Sequence, residues 1–98
     1  MTYKEAEIEL PKYLHLIGTE IIEGNKKGKI KDVIIAPSDP TAKHEYIDVN
    51  YIVATQNHTK PDIKNIPVDV VILYSYDAFS KISTFYMNAS PELIKGND

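Results

Sequence analysis

Residues able to do chemistry are scattered along this chain, and the stretch nearest to a motif is Gly24-Asn25-Lys26-Lys27-Gly28-Lys29. A phosphate-binding loop needs four residues between its glycines, then Lys and Ser or Thr, then a helix. Here three residues separate the glycines, Ile30 follows Lys29, and the next residues have strand character. The stretch is therefore read as a solvated hairpin tip. Its lysines, Lys26, Lys27 and Lys29 with Lys31 beyond, remain available for a local contact with an acidic partner or a phosphate.

The histidines are His15, His44 and His58. None forms a helical i, i+4 pair or sits in a metal motif. His44 and His58 fall in or beside loops, where convergence with Asp39, Asp48 or Asp62 would build a metal or acid–base site. Scattered loop His and Asp are more often simply solvated. Serines 38, 75, 80, 83 and 90 lack a nucleophile-elbow context. There is no cysteine, which removes disulfides, thiolate catalysis and thiolate metal ligands together. Asp69 and Asp77 flank one apolar run, at positions that suit strand ends reaching water. Asn57-His58-Thr59 and Asn88-Ala89-Ser90 match the glycosylation triplet, and without a secretion signal both are read as chance. The expectation is no catalytic residue, no cofactor and no metal.

Tyrosine is the unusual feature, with seven in the chain. It is favoured both in strands and on recognition surfaces. Tyr51 and Tyr74 fall on apolar faces and read as core. Tyr46, Tyr76 and Tyr86 are more open, and an exposed cluster of them could bind a protein or stack bases. Together with Lys26, Lys27 and Lys29 they are the candidate binding residues.

Composition narrows the partners. The 98 residues form one domain, with 43% hydrophobic and 26% charged residues, an ordinary globular balance. Net charge is −3, so there is no bulk attraction to nucleic acid. All eleven basic residues are lysine. Without arginine the planar fork that reads guanine and clamps phosphate is missing. Fourteen isoleucines beside eleven lysines also point to an AT-rich gene, as in a low-GC bacterium, its phage, or an archaeal virus. No run approaches the roughly 20 apolar residues of a membrane span. Met1-Thr2-Tyr3-Lys4-Glu5 does not open a signal peptide, so a cytoplasmic protein is expected.

The elements that must position these residues are mostly strands. The centre is Ile66-Pro67-Val68-Asp69-Val70-Val71-Ile72-Leu73-Tyr74-Ser75-Tyr76, the longest apolar run and the expected central strand. In residues 3–10, Ala6, Ile8 and Leu10 alternate with Glu5, Glu7 and Glu9, which predicts an acidic edge strand; a short helix is the alternative. Residues 13–36 predict a hairpin, with a bulge or bend at Gly18 and a five-residue tip at 24–28. Residues 37–43, with two prolines, predict a loop. Residues 45–55, with Ile47, Val49, Tyr51 and Val53 alternating, predict another strand. Residues 56–62 predict a polar loop, 77–81 a turn or a single helical turn, and 82–88 a last strand. Ser90-Pro91-Glu92 predicts the start of a short helix.

Two stretches resemble the PRC-barrel family: Leu16-Ile17-Gly18-Thr19-Glu20-Ile21-Ile22 with Gly28-Lys29-Ile30-Lys31-Asp32-Val33-Ile34, and Ile66-Pro67-Val68-Asp69-Val70-Val71. They cover about a third of the chain. The Pro-rich loop, the leading strand and the tyrosines depart from that family. The resemblance implies a small β-barrel used for protein contacts, without a catalytic centre, and transfers no site residues. The expected fold is a mainly β, single-domain barrel or SH3-like sheet of five to six short strands with a short C-terminal helix. The expected function is a non-enzymatic module binding a protein partner or itself. The alternative is a small-ligand or nucleic-acid binder using the lysine tip and the tyrosines.

Overall fold

A computed structural model describes residues 1–56, 62–76 and 85–95. Residues 3–10 are not an edge strand. Tyr3–Glu9 form helix α1, followed by a 3-10 segment over Leu10–Leu16. The deciding residues are Thr2 and Glu5. The Glu5 amide donates to Thr2 Oγ1 at 3.2 Å and the Thr2 amide to Glu5 Oε1 at 2.9 Å, a reciprocal capping box. Burial follows helical spacing: Ala6 is enclosed, Tyr3 and Leu10 pack on the core, and Ile8 is 68% exposed. Gly18 lies outside any strand, in the turn that follows, at φ +90°.

Strands β1 (Glu20–Glu23) and β2 (Lys26–Pro37) form a hairpin where one was expected, with a tighter tip and a much shorter first arm, because residues 13–16 belong to the 3-10 segment and not to a strand. Glu23 pairs with Lys26, so the turn is only Gly24-Asn25, with Gly24 at φ +62°. Lys26 and Lys27 belong to the ladder.

Residues 45–55 also depart from expectation, because Pro40–Gln56 form helix α2. Apolar residues there alternate and show little helical periodicity, and it is the start signal that favours the helix. Asp39 Oδ1 accepts from the Thr41 amide at 2.9 Å and the Asp39 carbonyl accepts from the Lys43 amide at 2.7 Å, with Pro40 at the first helical position. The expected loop over 37–43 is thus partly the cap and first turn of α2. Among the residues of α2 whose side chains are described, the buried ones are Lys43, Tyr46 and Ile47, one helical face.

Strand β3 (Val68–Ser75) is the expected central strand, β4 is Phe85–Asn88, and helix α3 (Pro91–Lys95) starts after Ser90 as anticipated. The four strands form one antiparallel sheet in the order β1-β2-β3-β4, curled into a half-barrel. Among the described residues there are four strands rather than five to six, because two alternating segments are helices. The expected turn or single helical turn at 77–81, the start of the last strand at 82–84, residues 57–61 of the expected polar loop, His58 and the triplet at 57–59 lie outside the described residues.

Register assigns the two faces of the sheet. Val68, Val70, Ile72 and Tyr74 share a face with Ile30, Val33 and Ile35; Asp69, Val71 and Leu73 point the other way. Lys43 of α2 reaches Asp69 and Asn88, which places α2 over the second face. The first face is closed by α1 and the 3-10 segment, which pack on β2 and β3 through Ala6, Tyr13 and Leu16. Among the described residues Val68, Val71 and Ile72 are the largest fully enclosed side chains. Each contributes on the order of 1.5–3 kcal/mol before chain entropy is subtracted, as an upper estimate.

Candidate functional site

At the hairpin end of the sheet the covering helices stop and three rings remain. Alternation puts Tyr74 and Tyr76 on one face of β3 and its extension, and the β3–β4 register places Phe85 opposite Tyr74. Tyr74 and Phe85 are stacked with centroids 5.7 Å apart and planes at 24°. Tyr76 meets Tyr74 edge-on at 5.7 Å and Phe85 at 5.7 Å with a tilt of 58°. Phe85 is 45% exposed, and the two tyrosines are half-buried.

The turn of the β1–β2 hairpin supplies a charged rim. The Tyr76 hydroxyl donates to Glu23 Oε2. That hydrogen bond to a carboxylate holds the phenol protonated and pushes its pKa up to about 12. Lys26 Nζ stands 5.8 Å from the centroid of the same ring, in cation–π range. Glu23, Lys26, Tyr74, Tyr76 and Phe85 together line a shallow cavity of about 370 Å³. The rings restrain one another, so the ledge presents apolar surface whose side-chain entropy is already reduced.

The expected tyrosine cluster is dispersed. Tyr46 is only 7% exposed and belongs to the core under α2. Tyr86 lies on the opposite face, with Lys43 Nζ 5.8 Å from its ring centroid and the His44 ring edge-on at 5.2 Å. His44 is therefore an aromatic neighbour. Among the described residues no group of three His, Asp or Glu could hold a metal ion. Tyr76 joins Lys26 on the ledge, whereas Lys27 and Lys29 point away from Lys26 by strand alternation. They line a second cavity of about 390 Å³ with Glu20 and Lys31, and Tyr76 is the wall shared by both.

Sequence reasoning did not single out Phe85, Tyr74 or Glu23 as site residues. The available signal was strand alternation: Tyr74 and Tyr76 are two apart at the wet end of β3. The partner positions required the register. No family model, curated protein or solved structure matches the chain.

Proposed function

We propose that this chain is a non-enzymatic interaction module whose ring ledge at the hairpin end binds another protein or a second copy of itself. The observation that carries the reading is Phe85, left 45% exposed while stacked on Tyr74 and flanked by Tyr76. Packed aromatic side chains are effective anchors because they bring large contact area and lose little rotamer freedom on binding. Glu23 and Lys26 add a polar rim of both signs, as protein interfaces commonly have. The resemblance to PRC-barrel hairpins points the same way. A cytoplasmic setting, and an origin in a phage, a virus or a low-GC bacterium, belong to the same proposal. Among the described residues no helix is long and apolar enough to cross a membrane.

The test compares wild type with Phe85→Ser in light scattering across a concentration series and in affinity capture from the native host. Ile8→Ser, on the exposed side of α1, is the control. Self-association, or a stoichiometric partner, that Phe85→Ser loses and Ile8→Ser keeps supports the ledge. A strict monomer with no partner sensitive to Phe85 overturns it.

A further inference from the structure

We infer that the cavity beside the β1–β2 hairpin is a binding site for a compact multivalent anion of the phosphate class, separate from the ring ledge. Lys27, Lys29 and Lys31 line this cavity of about 390 Å³, and among the described residues Glu20 is the one carboxylate that lines it. Small-ligand pockets span roughly 300–1,000 Å³, so the space is sufficient for such a group. Among the described residues these three lysines make no ion pair or side-chain hydrogen bond, in contrast to Lys12 and Lys43, which do. Three lysines without an ion-pair partner among the described residues border the cavity, and with Glu20 opposite Lys29 they leave a net positive charge there, although the chain as a whole carries −3.

The fold builds this wall in three ways. Alternation along β2 brings Lys27 and Lys29 to one side. The register then shifts between Ile30 and Asp32, so Lys31 is the extra residue of a bulge, free of the ladder. The shift keeps Val33 and Ile35 on the core face and moves Asp32 away from it. The carboxylate of Asp32 is engaged locally, accepting from the Val33 amide at 2.8 Å, and does not line the cavity. Finally, Gly28 lets β2 pass close to the end of β3: a Cβ there would collide with the Ser75 carbonyl oxygen and the Tyr76 ring. Tyr76 closes one end of the cavity with its ring, its hydroxyl already being committed to Glu23.

Amide chemical shifts of the labelled full-length protein, titrated with inorganic pyrophosphate at low salt, test the site. A parallel titration with a mixed-sequence single-stranded oligonucleotide separates a free anion from phosphate carried on nucleic acid. Saturable shifts over residues 27–31 and at Ser75 are expected with pyrophosphate. Raising the salt to about 0.15 M, where the Debye length is ~8 Å, should weaken them. Combined Lys27→Gln, Lys29→Gln and Lys31→Gln should weaken binding about tenfold or more through the loss of three charges, while Lys64→Gln leaves it unchanged. The glutamines replace exposed side chains, and an unchanged melting transition confirms that the triple variant is folded. No saturable shift with pyrophosphate, equal shifts in the triple variant, or saturation by the oligonucleotide alone overturns the inference. Phe85→Ser should leave pyrophosphate binding intact, so the ledge and the cavity stand or fall separately.

Discussion

Lys43 Nζ lies 2.8 Å from Asp69 Oδ2, and this contact joins the first turn of α2 to the first residues of β3. The same ammonium donates to Asn88 Oδ1 at 2.8 Å, so one side chain ties α2, β3 and β4. The lysine side chain is 5% exposed and the aspartate 27%. A buried charge is stable only when paired, and removing one partner strands the other. Because Asp69 keeps some contact with water, Lys43→Met should destabilise by about 1–3 kcal/mol rather than by the full penalty of a sealed pair. Lys43→Met combined with Asp69→Asn should recover part of that loss. Urea unfolding of the four species measures it, and strictly additive losses would show that the pair is not coupled.

The apolar centre of the sheet makes a second prediction. Ile72 is fully enclosed on the face closed by α1, whereas Ile8 on α1 is 68% exposed. Ile72→Ala should destabilise by about 2–5 kcal/mol, through lost transfer energy plus the cavity left behind. Ile8→Ala should stay within about 0.5 kcal/mol of wild type. Two comparable melting transitions would mean that α1 does not present the face described. A period-2 reading predicts the opposite for Ile8, so this pair also separates helix from strand over residues 3–10.

That region shows why part of the fold was legible in the sequence and part was not. β3 was readable because Val70, Val71, Ile72 and Leu73 are apolar on both faces and the run is bounded by polar ends. The hairpin was readable from Gly24 and Asn25 between two apolar stretches. Residues 3–10 and 45–55 alternate as strands would, yet both are helices. In each, a short-range cap outweighs the alternation: Thr2 with Glu5, and Asp39 with Pro40. The candidate site was legible only in halves. Tyr76 and the lysines stand out by type, but Phe85 and Glu23 reach Tyr76 through cross-strand register, which no local spacing encodes.

Tyr76 supplies a pH prediction. Its phenol, ordinarily near 10, is raised to about 12 first of all by the hydrogen bond to Glu23. A raised folded-state value means that folding favours the protonated phenol. The stabilising contribution is therefore fully present below about pH 10 and is lost as pH rises from about 10 towards 12. Phenolate absorbance should contain a late component from Tyr76, and Glu23→Ala should bring that component back towards the ordinary value. A titration identical in the two proteins would remove the Tyr76–Glu23 bond from the description of the site.

Gly28 gives the last prediction, because it joins the stability of the sheet to both cavities. Its backbone carries no positive φ, so a side chain is refused there by space rather than by conformation. The nearest obstacle is the Ser75 carbonyl oxygen, which is backbone and cannot rotate aside, followed by Cδ1 of Tyr76. Gly28→Ala must then part β2 from β3 or displace Tyr76. Overpacking of this kind typically costs about 1–3 kcal/mol, against the several tenths that alanine would otherwise gain over glycine. The variant should unfold earlier in denaturant, and the amide shifts of Tyr76 and Phe85 should move together because their rings touch. Equal or greater stability would mean that the end of β3 stands farther from β2 than described. The wall that Tyr76 gives to both cavities would then be lost.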